Sequence, residues 1–173
     1  MVAPSRFIHI SLAEQRLRLI EQGRVVWQAA VSTGANGAGE ANASGCTPRG
    51  WHRVRLAIGA GCPPGTVFVA RRPTGERYSE ALARAAPQRD WILTRILWLT
   101  GCEPGRNRGG AVDTLRRFIY IHGTPASEPM GVARSHGCIR LHDTELMTLF
   151  GQAPRGTPVY LTERRHADDP TGG

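Results

Sequence analysis

Lysine is missing from this 173-residue chain, and all 22 basic side chains are arginine. Its absence excludes a Schiff-base lysine and the lysine of a phosphate-binding loop. What remains is a set of planar forks suited to carboxylates, although GC-rich codon usage explains most of them. No two of Cys46, Cys62, Cys102 and Cys138 stand in C-x-x-C spacing, which removes the usual zinc and thioredoxin patterns. Their wide separations specify neither a disulfide nor a metal cluster. Aromatic residues are only 6% of the chain and no nucleic-acid motif is present, so a nucleic-acid partner is not expected. No apolar run approaches the ~20 residues that cross a bilayer, and no membrane partner is expected. The first fifteen residues lack a charged leader followed by a sustained apolar segment. A cytoplasmic location is therefore expected, or a periplasmic one if the true start lies upstream.

The length suits one domain with a single core. With 21 Gly and 12 Pro the chain turns often, which points to a mainly β fold with a few short helices. A net charge of +8 favours an anionic, carboxylate-rich partner. Residues 6–12, 15–20 and 24–31 alternate as a three-strand meander. Residues 32–44, rich in Gly, Ala and Asn, read as a flexible loop. Residues 51–58 and 66–70 are further strands, and residues 78–86 a helix that stops before Pro87. Residues 91–99 are apolar throughout, so periodicity does not decide between strand and helix. Residues 116–122 read as a strand that delivers His122 to its end. A short helix follows residue 141, with Asp143 as N-cap and Leu146, Leu149 and Phe150 as its buried stripe. Residues 156–161 form a last strand. The domain spans residues 1–162, and the polar tail, residues 163–173, is expected to be disordered.

The chemistry concentrates in residues 119–141, IYIHGTPASEPMGVARSHGCIRL. A thiol with an ordinary pKa near ~8.5 is mostly protonated at neutral pH and needs a base. His136 is two residues from Cys138 and has little freedom to align with it. His122 arrives from a separate strand and is the better candidate, oriented by a backbone carbonyl such as that of Gly123. The N–H groups of Gly137 and Cys138, with His136 beside them, are expected to hold an oxyanion, and Gly137 leaves room for a substrate carbonyl. Arg140 is placed to bind a substrate carboxylate or to tie down the loop. A catalytic zinc on His122, His136 and Cys138 lacks any paired-ligand motif, and neither metal nor cofactor is expected.

His122-Gly123-Thr124, followed after a short loop by Ser135-His136-Gly137-Cys138-Ile139-Arg140-Leu141, resembles the signature of L,D-transpeptidases of the YkuD type. The resemblance extends back through residues 8–34, which end in Val31-Ser32-Thr33-Gly34, and through Thr47-Pro48-Arg49-Gly50 and Gly156-Thr157-Pro158-Val159, so it covers essentially the whole chain. It implies a β-sandwich with the cysteine in a cleft. It also implies attack by Cys138 on a peptidoglycan tetrapeptide stem before the terminal D-alanine, through a thioester. His122 would be the base, His136 and Gly137 would complete the catalytic motif, and Arg140, Ser135 and Gly123 would line the substrate. Water as acceptor gives L,D-carboxypeptidase trimming of muropeptides, the outcome favoured by the missing leader. An exported enzyme using a second stem's amine would form 3–3 cross-links. A basic, non-catalytic module holding wall fragments is the alternative from another class. Arg106, Arg108 and Trp98 are further candidates for the pocket.

Overall fold

A computed structural model describes residues 2–171. The described residues form ten strands and two α-helices: β1 (Arg6–Ser11), β2 (Arg16–Glu21), β3 (Arg24–Ala30), β4 (Gly50–Ile58), β5 (Thr66–Val69), β6 (Arg72–Arg77), α1 (Glu80–Ala85), β7 (Ile92–Gly101), β8 (Tyr120–Gly123), β9 (Ile139–Leu141), α2 (Asp143–Gln152) and β10 (Pro158–Thr162). All ten strands join one mixed sheet in the order β3-β2-β1-β10-β4-β7-β5-β6, with β8 on β7 and β9 on β8. β1 runs parallel to β10, and β8 parallel to β9. No helix among the described residues is long and apolar enough to cross a membrane.

The mainly β expectation holds, and the sandwich is made from a single curled sheet. Just beyond β3, Ser32 exchanges backbone hydrogen bonds with Arg140 of β9, at 3.1 and 2.9 Å. The β7-β8-β9 branch therefore closes back on the β3 end of the sheet, enclosing one contiguous core, while β6 stays a free edge. Ile8, Ile10, Leu17 and Leu19 supply it from one end, Leu97, Leu99, Ile121 and Ile139 from the other, and Leu146 and Leu149 of α2 complete it. Each such side chain contributes about 1.5–3 kcal/mol on burial, which holds the seam shut.

Several local expectations change. Residues 91–99 are strand: β7 is buried on both faces, so it shows no two-residue alternation. Residues 116–118 are not strand, because the chain turns there with Phe118 in the left-handed region (φ +56°). The α2 N-cap is His142, and Asp143 is the first helical residue. With Glu145 it still places negative charge at the positive end of the helix dipole. β6 (RPTGER) has no apolar pattern, since it is an exposed edge strand. Residues 32–44, read as flexible, are pinned. Ser135 N–H donates to Thr33 O and Ala35 N–H to Ser135 O, both at 2.9 Å, while the Gln15 amide brackets Thr33. Against the expectation of a disordered tail, residues 163–171 make contacts. His166 N–H donates to Glu14, its ring packs on His9, and Asp169 is buried. Residues 172–173 lie outside the described residues.

Candidate active site

The site lies at the seam where the β7-β8-β9 branch closes on the β3 end. Parallel pairing sets Ile121 against Ile139 and His122 against Arg140. Cys138 immediately precedes β9, so it sits beside Tyr120 and diagonal to His122. The sulfur is held by backbone: Tyr120 N–H donates to it at 3.3 Å, and the thiol donates to Phe118 O at 3.4 Å. Among the described residues it makes no hydrogen bond to an imidazole. Half-buried and packed with Tyr120, Ile96 and Trp98, the thiol is pushed up by burial to about 11, against the pull of the Tyr120 N–H.

His122 is 1% exposed. Its Nδ1 lies 2.6 Å from Gly123 O. A carbonyl only accepts, so Nδ1 carries the proton and the lone pair resides on Nε2. Burial holds this imidazole down to about 4, outweighing the carbonyl that favours its charged form. Burial thus favours the neutral form of both the thiol and the His122 imidazole. Gly123 has a steric reason to be glycine: a Cβ would sit 2.5 Å from Leu93 O and from Asp143 Oδ1.

The SHGC turn is built from its own hydrogen bonds. Ser135 Oγ donates to Cys138 O at 2.5 Å and accepts from Gly137 N–H at 3.1 Å. The Gly137 N–H, expected to face an oxyanion, is turned back into the loop here. Ser135 is buried, and its hydroxyl is engaged within the loop. Gly137 adopts φ +121°, and a Cβ there would lie 2.9 Å from Cys46 O. Thr47 fixes its carbonyl: Thr47 Oγ1 donates to Gly137 O at 2.9 Å and accepts from Gly34 N–H at 2.8 Å. Arg117 ties down the facing loop, donating to Cys46 O at 2.5 Å and to Gly39 O and Glu40 O at 3.1 Å.

His136 is exposed, with Nδ1 3.5 Å from Asp90. Arg140, expected to grip a substrate carboxylate, already has protein carboxylates: Nη2 donates to Asp90 at 2.8 Å and Nη1 lies 3.7 Å from Glu128. These residues, with Trp91, Thr124 and Pro125, line a cavity of about 160 Å³. Asp90 was missed in the sequence because it lies fifty residues from Arg140 with no motif around it. Thr47 was noticed only as part of its Thr-Pro-Arg-Gly segment, and Arg117 was missed because its partners, Gly39 to Cys46, lie some seventy residues away. Trp98 is brought to the site through Tyr120, with their rings edge-to-face at 6.0 Å. Arg106 is not, being paired with Glu103, and Arg108 makes no contact with the site. No group of His, Cys, Asp and Glu among the described residues has metal-site geometry.

The chain matches a family model, that of the YkuD L,D-transpeptidase catalytic domain, over residues 5–161. The chain belongs to that family. Among its curated L,D-transpeptidase relatives, the putative L,D-transpeptidase YqjB of Bacillus subtilis is 45% identical over 53 residues, 31% of this chain and 30% of that protein. The putative L,D-transpeptidase YkuD of Bacillus licheniformis is 38% identical over 61 residues, 35% of this chain and 37% of that protein. An L,D-transpeptidase structure from Xylanimonas cellulosilytica aligns at TM-score 0.54 and 22% identity, over 92% of this chain and 61% of that one. The Ldtfm–avibactam carbamoyl enzyme aligns at TM-score 0.57 and 18% identity, over 94% and 51%. These two establish the shared L,D-transpeptidase fold. The chain spans about half to three-fifths of those structures and about a third of the two curated relatives.

Proposed function

We propose that this domain is a cysteine acyl-transfer enzyme acting on peptidoglycan tetrapeptide stems, with Cys138 as nucleophile and His122 as general base. The observation that carries the reading is the 2.6 Å contact of His122 Nδ1 with Gly123 O, which assigns the proton to Nδ1 and the lone pair to Nε2, on the strand paired with the one that Cys138 leads into. As sulfur attacks the carbonyl before the terminal D-alanine, His122 takes the thiol proton. The C–N bond then breaks, the same proton goes to the departing amine, and a thioester remains. The Tyr120 N–H, already on the sulfur, favours its anionic form as the proton leaves. The avibactam carbamoyl enzyme of a relative is consistent with an acylated intermediate on this fold.

The acceptor decides the product. Water attacking the thioester gives a tripeptide and restores the thiol, which is L,D-carboxypeptidase activity. Incubating the protein with a disaccharide tetrapeptide and weighing the products tests it. Tripeptide plus free D-alanine is expected, cross-linked dimers would assign an amine acceptor, and unchanged substrate would refute acyl transfer on stems.

A further inference from the structure

Across Tyr120 from the thiol lies a cation that the chemistry above does not use. Arg71 occupies the β5–β6 turn, with its guanidinium carbon 4.8 Å from the ring centroids of both Trp98 and Phe118. Its Nη1 donates to Tyr120 Oη at 3.1 Å. Among the described residues no carboxylate pairs with it, whereas Arg140, Arg89, Arg49 and Arg18 each hold one. A guanidinium has five N–H donors in a fixed fork, so most of this one faces no protein acceptor.

The backbone around it is strained in a consistent way. Ala70 (φ +47°), Arg71 (φ +65°) and Phe118 (φ +56°) all occupy the left-handed region without being glycine. Such residues cost of order 1–3 kcal/mol each and persist only where the surroundings hold them. Ala70 and Arg71 form the two-residue turn between paired Val69 and Arg72, and Arg71 in turn contacts Phe118. The contact is continuous with the nucleophile: Phe118 O accepts from Cys138, and Tyr120, whose hydroxyl receives Arg71, places its N–H on the same sulfur. Phe118 is 49% exposed, so the platform is open to a ligand.

We propose that Arg71, oriented by Trp98, Phe118 and Tyr120, is a carboxylate-binding residue that selects stem peptides carrying a free carboxylate near the scissile bond. The proposal rests on the stem-peptide reading above. It moves the recognition role that the sequence placed on Arg140, which Asp90 and Glu128 already neutralise, to a guanidinium without a counter-ion. The carboxylate is either the terminal one of D-alanine or a side-chain one on the preceding residue.

The test measures binding by calorimetry in the Cys138→Ala background, where no turnover intervenes. Four tetrapeptides serve as probes: fully free, C-terminal amide, side-chain amide and doubly amidated. Arg71→Gln is expected to weaken the fully free peptide roughly tenfold, the scale of one charge-assisted hydrogen bond, with partial recovery in Arg71→Lys. The singly amidated peptides identify the carboxylate: an Arg71→Gln effect that vanishes with one amide and survives with the other names the source. Equal affinities with and without Arg71, an effect retained on the doubly amidated peptide, or no binding of any peptide would overturn the proposal. D-alanine release by the otherwise unaltered chain, measured in parallel, reports separately on acyl transfer. Release that persists with an unchanged KM in Arg71→Gln sinks the recognition role alone.

Discussion

Titrating the Cys138 thiol discriminates between the two ways in which a cysteine and a histidine share a proton. Burial places the thiol at about 11 and His122 at about 4. Throughout the interval between these values the neutral pair is the stable form. At about pH 7.5 only some one in 3,000 sulfurs is thiolate, against about one in ten for an unperturbed thiol. Expressed as free energy, the rise from 9.0 to about 11 disfavours the anion by roughly 3 kcal/mol. The assay is the ultraviolet absorbance of thiolate, taken as the difference between the unaltered protein and Cys138→Ala across the pH range where both stay folded. The expected trace is flat through neutrality and rises only on the alkaline side of about pH 9. Turnover should behave differently. Since neutral His122 removes the proton during attack, kcat/KM should hold a plateau over the same neutral range. A thiolate step completed below pH 7 would show a preformed ion pair and refute the argument from burial.

Other expectations follow from the same geometry. His122→Ala should lower kcat by about 10²–10⁴, the usual worth of a positioned base, while circular dichroism stays unchanged. Gly137→Ala should destabilise the domain by about 2 kcal/mol or more in denaturant titration, because it adds left-handed strain and a Cβ against the Cys46 carbonyl. Gly151→Ala, with open space around it in α2, should be neutral or slightly stabilising. Acid should unfold the protein through its buried histidines. His9, His52 and His122 are all held down to about 4 by burial, so the unfolded chain binds their protons first. Their contribution is complete above about pH 6.5 and is lost as pH falls towards 4, at about 3 kcal/mol per histidine. A thermal midpoint that does not drop between these pH values would contradict that assignment.

Much of the site was legible because its parts are local. Ser135 to Arg140 form one turn, and His122-Gly123 end one strand, so residue order alone brought the thiol, the base and the orienting carbonyl into consideration. Residues 6–31 showed their meander because alternation survives where one strand packs on its neighbour. β7 hid its type because burial on both faces erases the period, and β6 because an edge strand needs no apolar face. Pinning of residues 32–44 was illegible for a different reason. Its hydrogen bonds are to residues 135 and 140, about a hundred positions away, and polar side chains such as Thr33 look the same in a free loop and in a bound one.

By itself the sequence determined the family signature and a β-rich scaffold, and nominated the nucleophile and base proposed above, since these depend on residue type and short-range spacing. Only the tertiary structure decided which charges are spent. Arg140 meets Asp90 and Glu128 from segments far along the chain, whereas Arg71 reaches aromatic faces and, among the described residues, no carboxylate. It likewise decided the protonation of the thiol and imidazole, which is governed by how completely the curled sheet removes each from water. Desolvation and ion pairing are properties of three-dimensional neighbours, and one-dimensional order does not encode them locally.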